Sequence, residues 1–127
     1  MTKILIAEDN RVNQRIIAYT LQKGGYTVVT AANGVEALSQ LVNNSPIDLL
    51  IADIDMPEMD GITLLRRLRA NQVYESLPVL ILTASGHAED YITAKDAGAN
   101  EVLTKPSSSH ELIETVNRII AATGGTI

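Results

Sequence analysis

In the stretch IADIDMPEMDG, residues 51–61, an apolar run stops on Asp53, and four carboxylates follow within eight residues: Asp53, Asp55, Glu58 and Asp60. A second acidic pair, Glu8-Asp9, ends the first apolar run of the chain, while Thr83 and Lys105 close the fourth and fifth. Carboxylates that approach one another raise each other's pKa unless a cation joins them. A hard divalent ion held by oxygens meets that need. Magnesium fits, because it uses few protein carboxylates and keeps waters or phosphate oxygens in its shell; manganese is the alternative ion. No EF-hand spacing is present for calcium. Zinc would want Cys or His, yet the chain has no cysteine, and His87 and His110 lie outside the acidic pairs.

A carboxylate oxygen can attack phosphorus and form an acyl phosphate. It is already ionised at neutral pH and needs no general base; its obstacle is the negative charge of the phosphoryl group. A bound dication and a lysine offset that repulsion. On this reading Asp53 is the nucleophile. Glu8 and Asp9 hold the ion with Asp53, and Asp55 adds a ligand through its backbone carbonyl while its side chain projects near the same site. Lys105 and the Thr83 hydroxyl meet the phosphoryl oxygens.

The elements that must position these residues are legible as an alternation. Strand candidates are KILIAE (3–8), YTVVTA (26–31), IDLLIAD (47–53), PVLILTA (78–84) and NEVLT (100–104). Two carry continuous apolar runs, as strands covered on both faces do. Between them lie helical stripes: Val35, Leu38, Leu41 and Val42; Ile62, Leu65 and Leu68, opposite Arg66, Arg67 and Arg69; and Leu112, Ile113, Val116, Ile119 and Ile120. Ser108 with Glu111 forms a capping-box pattern ahead of the last stripe. HAEDYITAKDAG has the weakest stripe and is expected to be the least firmly anchored helix. Strict β-α alternation implies parallel strands, right-handed crossovers and helices on both faces. The expected fold is α/β, a flavodoxin-like doubly wound (βα)5 three-layer sandwich with five strands in order 2-1-3-4-5. Ligands of such sheets bind beyond the carboxyl ends of the strands, where Glu8, Asp9, Asp53, Thr83 and Lys105 would converge.

Composition bounds the rest. With 46% hydrophobic residues the chain can bury a core, built from Ile, Leu, Val and Ala because Phe and Trp are absent. Ten basic against fifteen acidic residues give a net charge of −5, which opposes a general nucleic-acid or anionic-membrane binder. No apolar run reaches the ~18 residues of a membrane span, and the start is too short for a signal peptide. One domain over residues 1–122, a flexible tail or linker stub over 123–127, and a cytoplasmic location are expected.

From ILIAEDN through DLLIADIDMPEMDG and PVLILTA to LTKP, the chain resembles the receiver domain of two-component response regulators over almost its whole length. The resemblance implies that Asp53 takes a phosphoryl group from a sensor histidine kinase or histidine phosphotransfer protein. Glu8 and Asp9 become the metal-binding pair, Thr83 the switch hydroxyl and Lys105 the phosphate-binding lysine. Such a domain is no conventional enzyme, though it catalyses its own aspartyl phosphorylation and dephosphorylation. The resemblance further implies a cis Lys105-Pro106 bond, and EDNRVNQ is similar to receivers attached to hybrid sensor histidine kinases. A homodimer, or a kinase domain in the same longer chain, is a further expected partner. Val12, Ile16 and Ile17 of the first helix would supply apolar contacts to the donor. Two departures stand out: Val102 replaces the usual strand-five aromatic, and Asp55 is acidic where a neutral side chain is commoner.

Asp53-Ile54-Asp55 is also similar to the DxD signature of haloacid-dehalogenase-type phosphatases, and a pseudo-receiver without phosphorylation is a third reading. Nucleotide or flavin binding fails because AEDNR is neither glycine-rich nor attractive to phosphate. The remaining residues read plainly. Met56 and Met59 pack a loop, and Pro57 and Gly61 shape it. Arg66, Arg67 and Arg69 form a solvated face, and Tyr19 and Tyr91 pack at helix edges.

Overall fold

A computed structural model describes residues 2–44, 46–84, 87–105 and 108–123. Five strands and five helices alternate along the chain: β1 (Lys3–Ala7), α1 (Arg11–Lys23), β2 (Thr27–Ala31), α2 (Gly34–Asn43), β3 (Leu49–Asp53), α3 (Gly61–Arg69), β4 (Val79–Thr83), α4 (Ala88–Ala97), β5 (Glu101–Thr104) and α5 (Ser109–Ala122). The strands form one parallel sheet in the expected order, β2-β1-β3-β4-β5. Each is one or two residues shorter than its sequence pattern, since pairing stops where the chain turns out of the sheet. The first ladder nevertheless continues by one bond, from the Glu8 N–H to the Ala31 carbonyl at 3.0 Å.

Successive side chains of a strand point to opposite faces, and the apolar runs divide accordingly. Leu5, Ala7, Leu50, Ala52, Val79 and Ile81 face one core, which α2, α3 and α4 cover with Ala37, Leu41, Leu64, Leu65, Leu68, Ala94 and Ala97. Ile4, Ile6, Leu49, Ile51, Leu80 and Leu82 face the other, closed by Ile17 and Leu21 of α1 and by Leu112, Val116, Ile119 and Ile120 of α5. Strands buried on both faces thus explain the unbroken LLIA and VLIL runs.

Four helices start on side-chain caps: Asn10 accepts from the Asn13 N–H, Asn33 from Glu36, Asp60 from Thr63 and Ser108 from Glu111. Caps of this kind are each worth about 1 kcal/mol. α4 starts at His87 with no side-chain cap bond and buries only Ala94 and Ala97, in line with its weak stripe.

Three helix readings need correction. Val35 and Val42 are 52% and 70% exposed; of the expected stripe Leu41 is buried and Leu38 packs partly against the core, and α2 also buries Gly34 and Ala37. The helix start lies so close to the β3–α3 loop that a Cβ on Gly34 would sit 2.7 Å from the Met59 carbonyl oxygen, so glycine is required at that position. Ile17 is buried in the core between α1, α5 and the sheet, not presented to a partner. Arg69 is not part of a solvated face. Its guanidinium donates to the carbonyls of Tyr74, Glu75, Leu77 and Gly98 and to Asn100 Oδ1, tying α3 to the segments before β4 and after α4. Arg66 and Arg67 are exposed as expected. The expected Lys105-Pro106 cis bond and nearly all of the 123–127 tail fall outside the described residues.

Candidate functional site

Asp53 is the last residue of β3 and pairs in register with Leu82 of β4. Its side chain is buried, as is that of Glu8 just past β1. β1 and β3 are neighbours across the point where strand order reverses, so the two acids meet at the rim where such sheets bind ligands. Asp9 beside Glu8 is exposed, yet ligand oxygens of Glu8, Asp9 and Asp53 all lie within 4.8 Å of one another.

Lys105, one residue past β5, reaches into this group. Its Nζ lies 2.8 Å from Glu8 Oε1 and 3.0 Å from Asp53 Oδ2. Its backbone N–H donates to the Thr83 carbonyl at 2.6 Å, which fixes the loop from β5 against the end of β4. Thr83 is buried, one residue beyond the register partner of Asp53. The structure therefore brings Glu8, Asp9, Asp53 and Lys105 into one cluster, with Thr83 on the adjacent strand end. The Asp55 side chain is not in it. Asp55 is exposed and lines an open depression with Asp9, Met56, Pro57 and Asp60, and its backbone N–H approaches Asp53 Oδ1 at 3.4 Å.

The β3–α3 loop is held from several sides. Glu58 takes a left-handed φ of 68°. The Met59 carbonyl accepts from the Gly34 N–H at 3.1 Å, and the Gly61 N–H donates to the Ile54 carbonyl at 3.0 Å. Gly61 packs so tightly on β3 that an added Cβ would lie 2.3 Å from the Asp53 carbonyl oxygen. Its glycine is required by space at the backbone of the acidic residue itself. On the other side of Asp53, the Asn10 N–H donates to Glu8 Oε2 at 3.2 Å, and Gln14 Nε2 donates to the carbonyls of Glu8 and Ala31, each at 3.1 Å. The sequence reading did not single out Gln14; an amide six residues from Glu8 on a helix has no one-dimensional signature of this contact.

Charge dominates the chemistry available here. Burial holds the Glu8 carboxyl above its usual range, against the lowering effect of the Lys105 hydrogen bond. Burial would lower Lys105, but its hydrogen bonds to Glu8 and Asp53 and their negative charge outweigh it, and its pKa is raised. When all are ionised, three carboxylates against one lysine leave two excess negative charges. An oxygen-only donor set with that excess suits a hard dication. Among the described residues no buried side-chain polar atom lacks a partner, so the cluster is satisfied as it stands.

Toward β5, Val102 is half-buried against the α2–α4 core, and a cavity of ≈ 350 Å³ is lined by Thr83, His87, Tyr91, Ile92, Val102 and Thr104. His110 lies away from the cluster, paired with Glu114 at 3.0 Å on α5. Tyr19 and Tyr91 are largely exposed, each under a lysine ammonium at 5.6 and 5.9 Å from the ring centroid. Among the described residues no helix is long and apolar enough to cross a membrane.

Residues 4–117 match the sequence profile of the response regulator receiver domain. A chemotaxis protein CheY homolog from Campylobacter jejuni is 36% identical over 124 residues, covering 97% of this chain and 95% of that protein. The receiver domain of the Francisella response regulator 1452 superposes with a TM-score of 0.89 at 34% identity, over 97% of this chain and 99% of that one. The receiver domain of the sensor histidine kinase PA1611 from Pseudomonas aeruginosa, solved with a magnesium ion coordinated in its active-site cleft, gives a TM-score of 0.85 at 32% identity, over 94% and 98% of the two chains.

Proposed function

This chain belongs to the response regulator receiver domain family of two-component signalling, and from that premise we propose that Asp53 is its phosphoacceptor in a magnesium-dependent transfer. The donor is a phosphohistidine of a sensor histidine kinase or histidine phosphotransfer protein. One observation carries the reading: Lys105 Nζ sits between the carboxylates of Glu8 and Asp53, with Asp9 completing an oxygen triad.

An Asp53 oxygen forms the new bond to phosphorus as the bond from phosphorus to the donor nitrogen breaks; the donor ring, protonated on its other nitrogen, keeps the electron pair and leaves as neutral imidazole, and Asp53 becomes an acyl phosphate. Glu8, Asp9 and Asp53 would hold the ion. When bound, it neutralises carboxylate and phosphoryl charge so that the two can approach. Lys105, held by both buried acids, supplies a second positive charge on the phosphoryl oxygens. Thr83, on the next strand end, is the hydroxyl that turns toward the phosphoryl group. Asp55 serves through its backbone carbonyl, since its side chain lies outside the cluster; this also removes support from a phosphatase reading, which needs that side chain at the reacting centre. Phosphorylation adds about −1.5 to −2 charges, and Lys105 and Thr83 then rearrange and shift a two-state equilibrium. With valine at position 102 the readout lacks an aromatic swing.

The donor helix docks on α1. Val12, Ile16 and Tyr19 occupy one face at spacings of four and three residues and are 66%, 56% and 63% exposed. Incubation with acetyl phosphate and magnesium, followed by intact mass, tests the central claim. One phosphoryl group is expected on the parent and none on Asp53→Asn. Labelling that survives Asp53→Asn refutes it by putting the phosphoryl group on another residue; a parent that takes no label refutes it and leaves a non-phosphorylated interaction module.

A further inference from the structure

We propose that Gln14 is a positioning residue for the metal-binding acids: its side-chain amide locks the Glu8–Asp9 peptide and so sets the affinity of the site for a divalent ion. The inference rests on the magnesium reading above.

Glu8 and Asp9 lie between the end of β1 at Ala7 and the start of α1 at Arg11, in neither element. Asn10, next along, is committed to capping α1. Two bonds hold the backbone of Glu8, and a third ties their partners together. Its N–H donates to the Ala31 carbonyl at 3.0 Å. One Gln14 Nε2 hydrogen goes to the same Ala31 oxygen, and the other returns to the Glu8 carbonyl, each at 3.1 Å. The N–H and the C=O of Glu8 are therefore tied to one point on the end of β2. With both flanking peptide planes fixed, the Cα–Cβ bond of Glu8 has one direction, into the cluster. The Glu8 carbonyl belongs to the same peptide plane as the Asp9 nitrogen, so the lock also fixes where Asp9 begins. Partners one shell out from metal ligands hold those ligands in coordinating geometry, and losing them typically weakens metal binding 10–100-fold. Gln14 is half-buried on the first turn of α1 and touches neither acid's carboxylate, so its influence passes through the backbone.

Gln14→Met keeps the length of the side chain and removes both N–H donors; Gln14→Arg restores donors on a long side chain. Magnesium is titrated into each protein and followed by calorimetry or amide chemical shifts. Gln14→Met is expected to weaken binding about tenfold, with affinity recovered in Gln14→Arg. In acetyl phosphate labelling, the half-saturating magnesium concentration should rise by the same factor, while the rate at saturating magnesium holds. A merely structural tie between helix and sheet would not produce that split. Unchanged magnesium affinity in Gln14→Met overturns the inference and leaves the phosphoacceptor reading intact. A parent that binds no magnesium overturns both. Gln14→Asn, too short to span the two carbonyls, replaces the methionine variant should that one not fold.

Discussion

Replacing Gly61 by alanine sets two effects of opposite sign against each other. Helix propensity favours alanine over glycine by about 0.8–1 kcal/mol in a helix interior, and Gly61 has no positive φ to excuse it. Taken alone, Gly61→Ala should therefore stabilise the start of α3. The added Cβ, however, would lie 2.3 Å from the Asp53 carbonyl oxygen, 3.0 Å from its carbon and 3.1 Å from Ile54 Cα. All three are backbone atoms, so no side chain can swing away. Restoring ordinary contact requires a relative shift of about 1 Å between α3 and the end of β3. Overpacking of this kind costs about 1–3 kcal/mol, and the Gly61 N–H bond to the Ile54 carbonyl, worth about 1 kcal/mol, is strained with it. The clash wins. A net loss of about 2 kcal/mol should lower the urea midpoint by about 1 M. The same shift moves the residue that carries the acceptor oxygen, and misplacement on the order of 1 Å can cost about 100-fold in rate. Urea denaturation and acetyl phosphate labelling measure the two consequences. A midpoint equal to or above the parent's would show that β3 and α3 have room to separate, and that the tight approach does not fix Asp53.

Arg69→Met should cost about 2–3 kcal/mol, because it strips a charged donor from five acceptors around α3 and α4; a loss below about 1 kcal/mol in chemical denaturation would make the guanidinium a bystander. Without divalent ion, the stability that Lys105 contributes is fully present below its ordinary pKa of 10.5 and lost as pH rises through its higher folded value. The gap in unfolding free energy between parent and Lys105→Met should accordingly close above pH 10.5; a gap unchanged through the alkaline range would refute the ion pair. Glu8 moves stability in the same direction in a lower window: its raised carboxyl costs stability as pH climbs from 4.5 through the folded value. Glu58→Asn should stabilise by about 1 kcal/mol, since asparagine tolerates the left-handed φ of 68° far better than glutamate. A thermal midpoint about 3 °C higher is expected, with Asp53 labelling unaltered, and an unchanged midpoint would mean that the loop relaxes around position 58.

The acids at the strand ends were legible because strand termination is written in one dimension: an apolar run buried on both faces must stop where a charge begins. Asp53 and Glu8 follow from that rule; Lys105 comes from the alternation alone, since β5 is only half-buried and ends on exposed Thr104. Alternation and handedness give a parallel sheet with helices on both faces, and the order 2-1-3-4-5 follows from the flavodoxin-like pattern that five such units fit. The inner face of α2 was half legible: Leu41 lies on it as its period requires, but periodicity weighs large apolar residues and passes over Gly34, which close approach to Met59 selects. The same bias placed Ile17 at a docking surface. Arg69 and Gln14 were invisible for another reason. Their partners are backbone carbonyls, identical at every residue, so only the folded path of distant loops tells which ones they reach.

Because the sheet is a full partition, its two sides share no side-chain layer. Double substitutions that pair a residue beneath α1 and α5, such as Val116, with one beneath α3, such as Leu64, should sum without interaction energy. Recognition on the α1 side can then drift under selection for new donors while the opposite side, with its loosely held fourth helix, keeps its own behaviour. Only the rim residues belong to both compartments.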